Sequence, residues 1–325
     1  MIAYLIRRTL YSLLVLAGIN FVTFFLFFSV NTPEDMARLQ LGGRHVTSEA
    51  IERWKAQQGY DKPLYFNATA SGVEKLTQTV FAESSAGIMQ GDFGRTADGR
   101  NIAYELSKRI GPTLAVATPV FIIAIGLSIV FALGIVLFRY SYLDTAGVVV
   151  LVALMSISSL FFIIMGQYVF GRLMAVMPLS GYAPPPGMFK FLILPVLVAI
   201  LSQLGPDTRL YRTIFLEELG KDYVRTARAK GLSEVVVLLR HILRNSLIPI
   251  ITSAGLLLPA LLAGSIVLET FFGIPGLGRF TVEGISNQDF SIVRAMVFFG
   301  SFLYVSTYLL TDFAYAWADP RVRLQ

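Results

Sequence analysis

Stretches without a single ionisable residue alternate along this chain with short, densely charged ones. Thr9 to Pro33, Ile110 to Phe138, Thr145 to Gly171 and Asn245 to Leu268 carry no charge. Each exceeds the roughly 20 residues that an α-helix needs to cross the hydrocarbon core of a bilayer. Two shorter runs join them: Phe191 to Pro206, which holds Pro195, and Ala295 to Thr311, which leads through Asp312 into the apolar Phe313 to Ala318. The pattern predicts six membrane spans. The first span follows Arg7 and Arg8, as the core of a signal peptide would. A signal core is only about 7–15 residues long and ends at a small-residue cleavage site. This run is longer and closes on Val30-Asn31-Thr32-Pro33, so an uncleaved anchor is expected.

Between the first two spans the pattern changes. Val46 to Gly59 predicts a helix, with Thr47 or Ser48 as N-cap and Glu49 and Glu52 in the first turn, where carboxylates suit the positive end of the helix dipole. Asp61-Lys62-Pro63 stops it, and Glu74 to Phe81 predicts a second helix. Residues 34–109 are therefore expected to form a small domain rather than a linker. Asn67-Ala68-Thr69 fits a glycosylation sequon, but so short a match arises by chance and carries no weight.

The basic residues set an orientation. Arg7 and Arg8, Arg139, the run Arg209, Arg212, Lys221, Arg225, Arg228, Lys230, Arg240 and Arg244, and Arg321 and Arg323 all fall on one side of the predicted spans. The short loops of the other side hold only Arg172, Lys190, Arg279 and Arg294. Lys and Arg are retained on the cytoplasmic side, whereas long loops translocate largely regardless of charge. Both termini are thus expected in the cytoplasm and residues 34–109 outside it. Composition agrees: 55% of residues are apolar and 15% charged, against about 25% charged in soluble domains, and the mean hydropathy is +0.65. The net charge of +6 follows membrane topology rather than nucleic-acid binding. There is no cysteine, which excludes disulfides, thiol nucleophiles and Cys-based metal sites.

Candidate chemistry concentrates between Glu217 and Pro249. Leu216, Leu219, Tyr223 and Ala227 recur at helical spacing and predict a short amphipathic helix with an apolar docking stripe. Lys221, Arg225 and Arg228 fill its polar face, with Glu218 and Asp222 placed for pairing three or four residues on. Gly231 breaks the helix, and Ser233 with Glu234 opens a second one running towards Pro249 and the fifth span. A surface helix tied by a glycine bend to a membrane helix can pass a partner's movement into the bilayer. The same residues would also suit a basic helix resting on anionic lipid.

The string Asp222-Tyr223-Val224-Arg225-Thr226-Ala227-Arg228-Ala229-Lys230-Gly231-Leu232 resembles the EAA-loop signature of ABC importer permeases, in the form of the dipeptide, oligopeptide and nickel family. Other stretches resemble the same family: Tyr4 to Arg8, Asp61 to Leu64, Gly91 to Arg95, Met177 to Gly181, Glu269 to Arg279 and Ala318 to Arg323. The likeness covers essentially the whole chain. The general EAA pattern begins with Glu and two Ala, where this chain has Arg225, Thr226 and Ala227. Pro249 also lies further from Gly231 than in that pattern, and Phe66 to Gly87 is longer than the family leads one to expect. The first two departures look like features of the peptide subfamily.

The resemblance implies an all-α membrane permease of the type I ABC importer kind. Its parts would be an N-terminal segment and first span (1–33), an extracytoplasmic loop domain (34–109), a core (110–318) that includes a coupling segment (207–244), and a cytoplasmic tail (319–325). It further implies pairing with a second, homologous permease, with spans two to five lining the path. Two ATPase subunits, holding the ATP and Mg2+, would dock on Asp222, Tyr223, Arg225, Thr226, Ala227, Arg228, Ala229, Lys230, Gly231 and Leu232. A substrate-binding protein outside would deliver peptides, nickel or another small solute. The chain itself would hold no cofactor or metal and do no chemistry. Membrane lipid surrounds it, and no nucleic acid is involved.

Other classes fit less well. Gly273 to Gly278 is glycine-rich but lacks the Lys-Ser/Thr ending of a phosphate loop, so a turn is expected. His45 and His241 fall on opposite sides of the predicted membrane and cannot share a metal. Asp144 and Asp312 fall near predicted span ends, which disfavours an ion-gradient transporter with a proton relay inside the bundle. Without intramembrane His, Cys or paired carboxylates in the predicted spans, a membrane-embedded enzyme is also disfavoured.

Overall fold

The computed structural model of the chain describes residues 2–42, 46–184 and 186–318, with side chains for residues 6–42, 46–184 and 186–315. His45, Arg321, Arg323 and the closing motif beyond Ala318 lie outside the described residues, as do the side chains of Tyr4 and Leu5. The described residues form helices, with a single isolated bridge between Arg95 and Asn101. Four helices are long and apolar enough to cross a membrane, and two further bent pairs pass the same test if each pair counts as one span. The chain divides into two compact units, Met1–Gly111 with Gly276–Val305, and Pro112–Pro275 with Ser306–Gln325.

In the first unit, α1 (Ile2–Val30) runs without a break because no charge, proline or cap follows Arg8 before Pro33. Most of its side chains stay exposed, as a helix apolar all round requires when lipid is the solvent. Thr32 and Asp35 then form a reciprocal capping box that opens α2 (Pro33–Gln40). The helix expected at Val46 to Gly59 is α3 (Ser48–Gln58), with Thr47 accepting from the Ala50 N–H and Gly59 closing it at φ +74°. Glu74 to Phe81 is not one helix. A single turn, α4 (Glu74–Thr77), ends at Gln78, and Thr79 caps a new helix, α5 (Val80–Met89), by accepting from the Ala82 N–H. The threonine side chain competes for the backbone where propensity alone would let the helix continue. Phe24 and Phe28 of α1 pack with Trp54, Tyr60, Val80 and Phe81 of the loop. This aromatic cluster packs the loop onto the end of α1. Further along, α15 (Leu277–Ser286) and the start of α16 (Phe290–Ala318) pack on Ile102 and Leu106. Arg109 bridges Glu283 at 3.0 Å and Glu105 at 3.5 Å in that group.

The helix α6 (Ile102–Leu137) passes from the first unit into the second and holds Pro112 and Pro119 without breaking. The third predicted span is not straight. It is α7 (Tyr142–Ser156) followed by α8 (Ser159–Gly166) and a π-helical turn, Gln167–Leu173, with a bend of 88° between the two parts. Ile157 is extended and Ser158 caps α8 by accepting from the Leu160 N–H, so the backbone restarts there. The fourth is longer than its charge-free run: α9 (Met188–Leu219) carries on through Pro195, Pro206, Asp207 and Arg212. The Asp144 carboxylate accepts from Arg212 at 2.7 Å, which lets α7 and α9 run side by side with a charge on each. The fifth predicted span, Asn245 to Leu268, is α13 (Leu247–Leu262) and then a break at Gly264 before α14 (Ile266–Phe272).

Candidate functional site

The segment singled out by its charges lies in the second unit. α9 ends at Leu219, and after Gly220 and Lys221 a separate short helix, α10 (Asp222–Ala229), begins. Leu216 and Leu219 therefore belong to the end of α9, not to the surface helix. The apolar stripe predicted for docking is also turned the other way. Val224 and Ala227 of α10 are buried with Leu219, Tyr211 and Phe215 of α9 and with Val237, Leu238 and Ile242 further on. Their burial fastens α10 to its own chain, each large apolar side chain contributing about 1.5–3 kcal/mol. The reason is spacing: Val224 and Ala227 are three residues apart and share one helix face, so the helix rolls that face inward.

The residues left outside are mostly polar. Asp222, Arg225, Thr226, Arg228, Ala229, Lys230, Gly231 and Leu232 are exposed, and Tyr223 is half-buried. The pairing expected three residues apart is present: Glu218 binds Lys221, and Asp222 lies 3.7 Å from Arg225. Glu218 also accepts from the Tyr223 hydroxyl. Burial, then the carboxylate beside it, push the Tyr223 phenol up to about 12, so it stays a donor throughout the physiological range.

Past α10 the chain turns at Gly231, with φ +78°. The Gly231 N–H donates to the Arg228 carbonyl at 2.9 Å, and the Leu232 N–H to the Ala227 carbonyl at 3.4 Å, as in a left-handed helix stop. Arg228 spans the bend and holds Glu234 by two parallel bonds, Nε to Oε1 at 2.7 Å and Nη2 to Oε2 at 3.0 Å. Ser233 is extended at the N-cap position but makes no side-chain cap bond. From there α11 (Glu234–Val236), a π-helical stretch (Val237–Ile242) and α12 (Leu243–Asn245) lead to α13 with a bend of 57°. The wide turns carry the part-buried His241. The sequence reading left the apolar stripe free for a partner, whereas Leu219 and Ala227 are buried and Tyr223 is half-buried. Val224 at i and Ala227 at i+3 was the signal available for that.

A second feature of this unit went unnoticed in the charge pattern. A cavity of 330 Å³ is lined by apolar side chains of α6, α8, α9 and α13 and by Ser159, Ser202, Gln203 and Glu269. Glu269 is 2% exposed, and Thr113 donates to its Oε1 at 2.8 Å. Glu269 and Asp207 stand just beyond the charge-free runs, yet both are buried within helices. A carboxylate next to a run of aliphatic residues was the only sequence sign of either. Of the glycine-rich stretch, Gly273 closes α14, Gly276 precedes α15 and Gly278 lies in its first turn.

The family described as "Binding-protein-dependent transport system inner membrane component" matches residues 124–324, and its N-terminal companion family matches residues 1–86. A protein of Brucella abortus (strain 2308), provisionally named as a peptide transport system permease, is 32% identical over 329 residues, covering 99% of this chain and 99% of that protein. The oligopeptide transport system permease protein AppB of Bacillus subtilis (strain 168) is 30% identical over 339 residues, and the glutathione transport system permease protein GsiC of Escherichia coli (strain K12) is 32% identical over 328. Each of these two also covers 99% of both chains.

Proposed function

The chain belongs to the binding-protein-dependent transport system inner membrane component family, and from that premise we propose that it is a transmembrane subunit of an ATP-driven importer of peptides. Relatives named for peptide, oligopeptide and glutathione transport, alike over nearly their whole length, support peptides as the substrate class. The observation that carries the coupling role is the bend at Gly231. A polar surface helix is anchored by Val224 and Ala227, clamped across the bend by Arg228 and Glu234, and continuous with the helical run into α13. Two cytoplasmic ATPase subunits dock on its exposed side, from Asp222 to Leu232, and hold the ATP and Mg2+. Their closure moves α10 as a rigid body, and the helical run passes the movement to the membrane. A second, related permease completes the path, to which the cavity beside Glu269 belongs. Both termini lie in the cytoplasm, residues 34–109 lie outside, and a binding protein delivers the substrate there.

Two measurements test this. Vesicles holding the assembled importer should accumulate labelled di- or tripeptide only with ATP inside and binding protein outside. Accumulation of nickel without peptide would replace the substrate class. Deleting Asp222 to Gly231 should leave a complex that purifies without its ATPase subunits, and full retention of both would overturn the docking assignment.

A further inference from the structure

The first unit holds a half-open cavity of 720 Å³ that takes no part in the coupling segment. Its walls are the end of α3 with Tyr60, the loop from Asp92 to Asn101, and the first turns of α16, which contribute Ser291 and Arg294. The loop is held firmly. The Asp289 carboxylate accepts from the Ala97 N–H at 2.6 Å and caps α16 through the N–H groups of Ser291 and Ile292. Thr96 accepts from the Arg100 N–H at 3.0 Å, and Asp92 from the Gly94 N–H at 2.9 Å. Such a cavity is formed in advance and loses little freedom when filled.

Arg294 is the group left over. It lines the recess; its Nη1 has no hydrogen-bond partner among the described residues but is shielded from solvent and so from a ligand, which meets only the other N–H groups of the guanidinium. A guanidinium cannot discharge itself by losing its proton, and a buried donor without an acceptor is costly. Asp289, the neighbouring carboxylate on the same helix end, is occupied by the three backbone donors just named. Arg95 adds a second guanidinium to the lining, and Asp92 a single carboxylate. A guanidinium in a polar recess suits a carboxylate, which it can grip by two parallel bonds. A recess within the usual range of about 300–1,000 Å³ suits a small ligand rather than a flat protein face. The mixed signs suit a molecule with both charges.

We propose that this cavity binds the C-terminal carboxylate of a short peptide through Arg294, with Arg95 and Asp92 at the other charged positions of its lining. The assignment rests on the peptide-import function above and adds a site to it, distinct from the cavity beside Glu269. A C-terminal carboxylate is common to peptides whatever their side chains, so a site of this chemistry selects the class without selecting the sequence.

Trp54 reports on the site, since its ring lies 5.7 Å from that of Tyr60 in the cavity wall. Replacing Trp317, the chain's other tryptophan, by Phe leaves Trp54 as the sole emitter in the full chain held in lipid nanodiscs. Dialanine should then shift the Trp54 emission saturably. Its C-terminal amide should bind at least tenfold more weakly, and so should dialanine to Arg294→Gln, with Arg294→Lys in between. No saturable shift, an equal response to the amide, or unchanged affinity in Arg294→Gln would overturn the site and leave the cavity to water or to a carboxylate of a docked protein. The amide arm needs no mutation and so does not depend on the variants folding. Uptake of dialanine by the assembled importer, measured separately, tests the parent function. Uptake without a Trp54 response removes the site alone, and a response without uptake removes the import assignment while keeping the site.

Discussion

Gly231 stands at φ +78°, and a Cβ built there meets no atom within 4 Å. Space is therefore not what a side chain at this position would lack; the backbone conformation is. An L-residue with a β-carbon pays about 1–2 kcal/mol to hold the left-handed region, and a β-branched one sits there least readily. Asn tolerates it better than most. Gly231→Val should shift the bend towards other backbone angles while Val224 and Ala227 keep α10 anchored, and Gly231→Asn should do so less. The expected outcome is a valine variant that retains its ATPase subunits and hydrolyses ATP but carries less peptide per ATP, with the asparagine variant between it and the parent. Uptake and hydrolysis measured together in vesicles check this. Equal peptide per ATP in all three would show that the bend angle does not transmit the movement. The Arg228–Glu234 clamp works beside it, but both side chains are about half exposed, so it adds only about 0.2–1 kcal/mol.

Helices in lipid cannot rely on expelling water to hold together, and close backbone approach at small residues takes over. α13 and α16 meet in this way at Gly255, where a Cβ would come within 2.3 Å of Thr311 Oγ1 and 2.7 Å of its Cγ2. Overfilling a packed contact costs about 1–3 kcal/mol. Gly255→Ala should accordingly lower the thermal unfolding midpoint of the detergent-held complex. Adding Thr311→Ala removes the two nearest atoms and should recover much of the loss. A double variant no more stable than the single one would place the strain elsewhere. α7 and α8 follow a different logic: Ser158 offers its side chain to the backbone at the 88° bend, and a local bond overrides the apolar run that would otherwise be one helix.

For the molecule as a whole, the assignments depend on which side of the membrane each unpaired segment faces. That orientation comes from the distribution of Lys and Arg, and it is testable because the chain has no cysteine of its own. Ser71 and Ser233 are both exposed, so a cysteine at either should be within reach of a thiol reagent. A membrane-impermeant reagent should label the Ser71→Cys chain in intact cells and the Ser233→Cys chain only after the membrane is opened. The reverse pattern would invert the orientation and remove the ATPase docking from α10. It would also put the cavity of Arg294 on the wrong side for a delivered peptide.

The helical class, the approximate places of the spans, the cap at Thr47 and the turn at Gly231 were legible in the order of residues. Each follows from forces acting over a few neighbours: a charge-free run long enough for a bilayer, a side-chain oxygen one turn ahead of a free N–H, a glycine where others are strained. The inward roll of α10, the pairing of Arg228 with Glu234, the passage of α9 beyond Pro206 and the burial of Glu269 were not. Charge-free runs mark where the chain can meet lipid. They do not mark where a charged side chain finds a partner or a cavity on another helix, as Asp144 and Arg212 do 68 positions apart. Those outcomes depend on which helices pack together, and only the tertiary structure decides that, because desolvation is offset by contacts from residues distant in sequence.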